Sequence, residues 1–180
     1  QDYVDRFLSG SLDAKEVRRI GLEPWTDAFL PRTMRIIGGA VEALAHVTRF
    51  GGIAANMAGG THHSHRSFGS GYCVFNDLAI CALLARDEYG YERIAVLDLD
   101  VHQGDGTATI LEGEEGIITI SVHGEKNFPF RKAKSDHDFP LPNGTGDEGY
   151  LLAVKESLAI IEDFSPEILL FQAGVDALGH

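Results

Sequence analysis

The stretch IAVLDLDVHQGDG, residues 94–106, joins an apolar run to a cluster of acidic and imidazole side chains. Residues 94–97 have the length and β-branched content of a strand that is buried on both faces. Asp98, Asp100 and His102 follow at every second position, so an extended backbone would direct all three side chains from the same face. The stretch therefore predicts a central buried strand that ends in a polar cluster.

Carboxylates at the end of a buried strand are costly unless positive charge lies among them. A divalent metal ion meets that need, because two Asp oxygens and one imidazole nitrogen suit a catalytic zinc or iron(II) with an open position for water. The alternative is an acidic turn that caps a helix, with His102 only hydrogen-bonded. For this motif alone both interpretations stay open, since short motifs also arise by chance.

Composition predicts one globular domain over residues 1–180, in which 44% of the residues are hydrophobic and 23% are charged. The net charge of −12 argues against nucleic acid as a partner and suits a cationic ligand, or serves only solubility. No apolar run reaches the length of a membrane span, so no membrane partner is expected. Cys73 and Cys81 are too few for a disulfide framework, which favours a cytoplasmic location.

The rest of the chain alternates between helical and strand patterns. Helices are predicted within residues 1–20, over 33–49, from an Asn76 N-cap to 85, over 108–111, and from an Asp147 N-cap along a stripe of Leu151, Val154, Leu158 and Ile161. Strands are predicted over residues 53–57, 117–122 and 168–172. Residues 124–146 are rich in Pro, Gly, Asn and Asp and are predicted to form one long loop.

Strands that alternate with helices predict parallel βαβ units, whose strands all place their carboxyl ends on one edge of the sheet. Four polar segments follow predicted strands and would meet at that edge: residues 62–63, 98–102, 121–123 and Asp176. Such a convergence is far less expected by chance than any single motif. It favours the metal site over the capping turn.

Five motifs follow one another along essentially the whole chain: GGTHH at 59–63, GYCVFND at 71–77, DLDVHQGDG at 98–106, SVH at 121–123 and AGVD at 173–176. In this order and spacing the chain resembles the zinc-dependent histone deacetylases, and looks most like the class IV branch and its bacterial relatives. The resemblance implies the arginase/deacetylase fold, an α/β fold with three α/β/α layers around a mainly parallel sheet. It also implies removal of acetyl or longer acyl groups from lysine.

The resemblance assigns roles to the residues of the predicted site. Asp100, His102 and Asp176 would bind zinc, or iron(II) in the cell. His63 would be the general base that takes a proton from water, and His62 would face the same water and the scissile carbonyl.

Two further carboxylates would support these histidines. Asp98 would bond to the outer nitrogen of His62 and Asp105 to that of His63, which fixes the tautomer and raises the basicity of each imidazole. The family also holds a structural potassium ion. Its matching residues here are Asp98, Asp100, His102, Ser121 and Val122.

For the substrate, the resemblance implies a narrow tunnel that accepts an acylated lysine. The carbonyl of Gly71 would accept the substrate amide N–H, and Tyr72 with Phe128 or Phe130 would form the walls. An acyl-lysine protein is the expected substrate, and an acetylpolyamine or another small acylated amine is the rival. An arginase-like ureohydrolase, which needs two metals, and a silent acyl-lysine-binding module fit the motifs less well.

Family members place a tyrosine that hydrogen-bonds the oxyanion on a glycine-rich loop beyond the last ligand strand. The sequence stops at His180, before such a loop, and opens at Gln1 inside a helical pattern. We therefore expect a fragment of a longer deacetylase, truncated at the C-terminus and at the N-terminus. The sequence does not define an oligomeric state.

Overall fold

The computed structural model describes residues 2–177, and its central strand is β1 (Ile94–Asp98), in which every residue is buried. β1 pairs on one side with β2 (Ile117–Gly124) and on the other with β4 (Ile168–Gln172). β3 (His137–Leu141) pairs with the outer side of β2. All pairings are parallel, and the strand order is β3-β2-β1-β4. The prediction of a buried central strand in a parallel sheet is confirmed.

The described part of the chain also contains the helices α1 (Asp2–Leu8), α2 (Ala14–Ile20), α3 (Phe29–Phe50), α4 (Asp77–Asp87), α5 (Asp105–Leu111) and α6 (Asp147–Phe164). α3 and α4 cover one face of the sheet, where Leu44 and Ala82 join Val96 in the largest apolar cluster. α6 covers the other face, where Ile161 packs with Leu97. The three-layer α/β/α fold is therefore confirmed. No helix among residues 2–177 is long and apolar enough to cross a membrane.

The first two helices pack against the loop that carries the GYCVFND motif. Phe7, Ile20 and Val74 form a separate buried cluster. The buried hydroxyl of Tyr3 donates a hydrogen bond to the carbonyl of Val74 at 3.0 Å. These contacts fix the motif loop to the N-terminal helices.

The predicted strand over residues 53–57 is wrong, because this segment is irregular chain. Ile53 and Met57 are 97% and 96% exposed. The side-chain amide of Asn56 donates to the carbonyl of Ile36 in α3 at 2.8 Å. A strand needs the backbone hydrogen bonds of a neighbouring strand. Here a side-chain bond to a helix fixes the path of the chain instead.

Residues 124–146, predicted to be one loop, contain β3. The β3 sequence HDFPL includes Asp and Pro, which are typical of turns. Pro140 is tolerated because β3 lies at the edge of the described sheet. The carboxylate of Asp136 accepts the backbone N–H of Thr119 at 2.8 Å and so joins the start of β3 to β2. Side-chain bonds thus compensate for a weak strand sequence.

Helix α6 differs from its prediction in two details. Gly146 occupies the N-cap, and Asp147 is the first helical residue. The buried side chains are Ala153, Ser157 and Ile161. Leu151 and Leu158, expected on the buried stripe, are 61% and 43% exposed. The buried face of α6 therefore combines two small side chains with Ile161, and most of the predicted leucine stripe lies partly in solvent.

Asn76 links α4 to the histidine loop, and we expect Asn76→Ala to destabilise the fold. The side-chain oxygen accepts the N–H of Ala79 at 2.9 Å, and the amide donates to the carbonyls of His62 and Ser64 at 3.2 and 3.1 Å. The substitution removes a helix cap and the buried donor to the carbonyl of Ser64, whereas the carbonyl of His62 keeps the N–H of Thr107, so the free energy of unfolding should fall by about 2–4 kcal/mol. Urea unfolding measures the loss. Asp13→Ala, which removes the exposed cap of α2, should cost clearly less, and equal losses would contradict this account.

The thiols of Cys73 and Cys81 are free and buried, and burial raises the pKa of each from 9.0 to about 12. Because the thiolate is the reactive form, iodoacetamide at about pH 8 should alkylate neither thiol in the folded protein and both in denaturant. Unfolded thiols ionise first, so stability should be lost as the pH rises from 9.0 toward 12. Rapid alkylation of the folded chain would disprove this prediction.

Candidate active site

Three candidate metal ligands lie together beyond the carboxyl ends of β1 and β4. Nδ1 of His102 is 3.0 Å from Oδ1 of Asp100 and 3.1 Å from Oδ2 of Asp176. One ligand atom from each residue lies within 4.8 Å of the other two. The backbone N–H of Val101 donates to Asp176 at 3.1 Å. The structure thus brings the predicted zinc ligands together and ties the loop after β1 to the segment after β4.

This donor set fits a divalent cation. Two carboxylates and an imidazole at such short separations favour a positive ion among them. Gly174 approaches so closely that a Cβ at this position would lie 2.3 Å from Oδ2 of Asp100, so only glycine leaves that oxygen free. Oxygen and imidazole donors suit both zinc and iron(II).

Two histidine–carboxylate pairs lie beside the candidate metal ligands. Nδ1 of His62 is 2.6 Å from Oδ2 of Asp98, and Nδ1 of His63 is 2.7 Å from Oδ1 of Asp105. The centroids of the two imidazole rings are 4.0 Å apart. Nε2 of His62 is 3.9 Å from Oδ1 of Asp100. Because each Nδ1 faces a carboxylate, each ring can keep Nε2 for the chemistry of the site.

The sequence predicted that the histidine pair follows a strand. Among the residues that the structure describes, no strand precedes the pair, and hydrogen bonds from neighbouring elements hold it instead. Asp77, the first residue of α4, accepts the N–H groups of Gly60 and Thr61 at 2.8 and 2.7 Å. Gln172, the last residue of β4, donates to the carbonyl of Gly60 at 3.0 Å. These bonds place the two imidazoles at the edge of the sheet without a strand before them.

Burial and charge have different net effects on the two histidines. Burial opposes charge on His62, but the Asp98 carboxylate outweighs it and raises the pKa of His62 to about 8. Burial dominates for His63 and lowers its pKa, despite the bond to Asp105. Burial also disfavours the Asp105 anion, yet hydrogen bonds from His63 and His65 hold the pKa of Asp105 at about 2. A neutral His63 therefore lies next to a more basic His62.

Of the residues predicted to hold potassium, Asp98, Ser121 and Val122 lie in the paired strands β1 and β2, and Asp100 and His102 follow β1. Asp98 is the register partner of Ser121, and Asp98, Ser121 and Val122 are all buried. The second oxygen of Asp98, Oδ1, accepts the backbone N–H of Asp100 at 3.1 Å. Potassium binding at this corner of the sheet stays a prediction.

The predicted substrate residues divide into two groups. A Cβ on Gly71 would lie 2.6 Å from Cδ2 of His63, so the backbone at 71 directly abuts that ring. The ring of Phe128 packs edge-on against His63 with centroids 4.8 Å apart. Phe130 and Tyr72 are 91% and 72% exposed. Gly71 and Phe128 therefore border the histidine pair, whereas the other two aromatic rings face outward.

Sequence reasoning missed two polar side chains that organise the site. Gln103, which is fully buried, bonds through both amide atoms to the backbone of Ala133, at 3.1 and 2.8 Å, and so fixes the loop that carries Phe128. His65 lies with Nε2 3.2 Å from Oδ2 of Asp105. The closely spaced histidines of the THHSH sequence were a signal for His65. Gln103 gave none, because its partner lies in a distant loop.

The sheet edge and its donor groups define an α/β protein with a candidate hydrolytic metal centre, and comparison with known proteins identifies the family. The histone deacetylase domain family matches residues 1–180. An uncharacterised protein of Picosynechococcus is 42% identical over 176 residues, which cover 97% of this chain and 58% of that protein. The chain belongs to the histone deacetylase family.

Solved structures share this fold. An HDAC homologue complexed with SAHA has a TM-score of 0.84 and 30% identity, covering 99% of this chain and 53% of its own. Acetylpolyamine aminohydrolase from Burkholderia pseudomallei has a TM-score of 0.69 and 26% identity, covering 79% of this chain and 45% of its own. The chain thus spans about half the length of these relatives.

Replacement of a candidate ligand should greatly weaken metal binding. We expect His102→Ala and Asp176→Ala to weaken zinc affinity by ~100-fold or more, since loss of a direct ligand should exceed the effect of losing an outer partner. Calorimetric titration of the metal-free protein with zinc measures the affinity. The control is Asp87→Ala, because Asp87 lies at the end of α4 and pairs with Arg86. Wild-type affinity in both ligand variants would rule out this site.

Proposed function

We propose that this chain forms the core of a metal-dependent amidohydrolase that removes acetyl, or longer acyl, groups from the ε-amine of lysine in proteins. The observation that carries the proposal is the placement of Asp100, His102 and Asp176 beside two buried histidine–aspartate pairs. Membership of the histone deacetylase family supports the same reaction class.

Asp100, His102 and Asp176 would hold one zinc ion, or iron(II) in the cell. A bound ion would supply a Lewis acid that polarises the amide carbonyl and lowers the pKa of water. The corner formed by Asp98 and Ser121 would hold the structural potassium ion. The free, buried cysteines support a cytoplasmic location.

His63 would carry the proton through the reaction. With its Nδ1 proton donated to Asp105, its Nε2 keeps a lone pair that can take a proton from the attacking water. The same nitrogen would return that proton to the leaving amine as the amide C–N bond breaks. His62, oriented by Asp98, would face the same water and carbonyl from the adjacent ring.

Three properties support acyl-lysine as the substrate. Phe128, packed against His63, offers an apolar wall for an aliphatic stem. The net charge of −12 suits a basic protein substrate. The HDAC homologue of the same fold binds SAHA. Together they favour a long, narrow acylated side chain at the histidine pair.

A small acylated amine is the second candidate, because acetylpolyamine aminohydrolase from Burkholderia pseudomallei shares the fold. A ureohydrolase is less well supported, since the candidate metal group found among residues 2–177 is a single triad. A silent binding module would have no need of two histidine–carboxylate pairs beside that triad.

Metal content and acetate release, measured on the full-length gene product, test the proposal. We expect about one zinc per chain and release of acetate from an acetyl-lysine peptide, faster than from an acetylated polyamine. Chelation should abolish release, and added zinc should restore it. His63→Ala should keep the metal and lose about 10²–10⁴ in turnover, because a general base is removed. His46→Ala, on the exposed side of α3, is the control and should turn over normally.

Other outcomes favour the alternatives. Two metals per chain with guanidino-group hydrolysis would favour a ureohydrolase, and acyl-lysine binding without acetate release would favour a silent module. Preference for the polyamine would change the substrate but keep the reaction class. Normal turnover in His63→Ala would exclude the role assigned to that residue.

A further inference from the structure

Asp105 is held by two imidazoles, and only one of them belongs to the pair described above. Its Oδ1 faces Nδ1 of His63 at 2.7 Å, and its Oδ2 faces Nε2 of His65 at 3.2 Å. The side chain of His65 is 17% exposed and that of Asp105 is 11% exposed. Both oxygens of the carboxylate therefore have a ring nitrogen as their partner in a largely buried setting.

His65 is itself fixed on its remaining sides. Its Nδ1 is 2.7 Å from Oγ1 of Thr109, one turn further along α5 than Asp105. The ring of His65 stacks on that of Phe68 with centroids 4.3 Å apart. The guanidinium of Arg19, a residue of α2, lies 4.6 Å from the centroid of the Phe68 ring. The backbone N–H of His65 donates to the carbonyl of Phe68 at 2.9 Å. This degree of restraint exceeds what a solvated surface histidine would show.

The contact with Thr109 bears on the tautomer of His65. When the Thr109 hydroxyl donates to Nδ1, the ring proton lies on Nε2 and points at Asp105. The imidazole then acts as a donor to the carboxylate without carrying charge. The same hydroxyl also lies 2.9 and 3.1 Å from the carbonyls of Asp105 and Gly106, but a carboxylate oxygen only accepts, so the 3.2 Å contact itself indicates a ring proton on Nε2.

The other histidine pair shows the same arrangement with a different donor. Asp98 gives Oδ2 to His62, and its Oδ1 accepts the backbone N–H of Asp100 at 3.1 Å. In each pair the oxygen not used by the catalytic imidazole is occupied, which prevents the carboxylate from rotating. A backbone amide does this for Asp98, and a side chain, which can be replaced by mutation, does it for Asp105.

We propose that His65 is a positioning residue for the reaction: by occupying Oδ2 of Asp105, it keeps Oδ1 aligned on Nδ1 of His63 and so keeps Nε2 of His63 directed at the cleft. The inference rests on the proposed function for the role of His63. The bond geometry itself does not depend on that function. A competing explanation is that His65 only stabilises the turn from residue 65 to residue 68.

Two substitutions at one position separate these explanations. His65→Leu keeps an apolar side chain against Phe68 but removes the donor. His65→Gln carries an amide N–H at about the distance of Nε2 and should restore the bond to Asp105. In the full-length gene product we expect kcat on an acetyl-lysine peptide to fall about 10-fold in His65→Leu with KM unchanged, and to return to within about 3-fold of wild type in His65→Gln.

A second measurement reports on the bond without any turnover. In ¹⁵N-histidine spectra of the metal-free protein, the Nδ1 proton of His63 should give a slowly exchanging signal in wild type. That signal should exchange rapidly with water in His65→Leu and slowly again in His65→Gln. If wild type shows the signal but no deacetylation, the proposed function fails while the positioning of His63 stands.

The proposal is overturned if the His63 signal is unchanged in His65→Leu, or if His65→Gln loses as much activity as His65→Leu. Should His65→Leu fail to fold, Thr109→Val replaces it, because Thr109 is exposed and its loss removes the partner of Nδ1 together with hydroxyl contacts to the carbonyls of its own helix turn. Thr109→Val should lower kcat about 3-fold and speed exchange of the His63 signal, as expected for the loss of one net hydrogen bond. Wild-type values for both would also overturn the proposal.

Discussion

Asp98, Asp100 and Asp105 are buried beside one another at the end of the central strand, and three anions in one low-dielectric corner must each find a compensating partner. Asp98 and Asp105 each face an imidazole, and Asp100 faces His102. The surrounding backbone is arranged to bring these partners in. A Cβ on Gly104 would lie 2.4 Å from Oδ2 of Asp98, so the position of that carboxylate requires glycine here.

The parallel sheet brings these groups together because it places the ends of several strands at one edge. β1 ends at Asp98 and leads to Asp100, β4 leads to Asp176, and β2 lies alongside with Ser121 in register with Asp98. The histidine pair reaches the same edge by another route, through bonds from Asp77 and Gln172. The candidate site therefore depends on the sheet for most of its carboxylates and on loop hydrogen bonds for its histidine pair.

The sequence alone predicted secondary structure correctly where one local rule dominates. The apolar run before Asp98 predicted β1, and Asn76 predicted the start of α4, because strand burial and N-capping depend on neighbouring residues. Prediction failed where partners are distant in the chain. The segment over 53–57 looks like a strand but has a bond to α3, and β3 has a turn-like sequence but is joined to β2 by Asp136.

The candidate site also divides into features that the sequence predicted and features that it did not. The donor residues were recognisable from two-residue spacing and from a family pattern, but the contacts that orient them were not. Gln103 and His65 act on Ala133 and Asp105, and these partners are 30 and 40 residues away along the chain. Spacing arguments describe the direction of side chains on one element, so they cannot find such contacts.

The two histidine pairs share a geometry but differ in their electrostatic balance. Asp98 and Asp100 both act on His62, and their combined charge outweighs burial and raises its pKa. Burial has the largest effect on His63 and, together with charge on His62 and His102, lowers its pKa despite the hydrogen bond to Asp105. An imidazole that stays neutral can accept a proton, whereas its charged neighbour can only donate one. Burial and the neighbouring charges are thus enough to give two adjacent, chemically identical side chains different proton affinities.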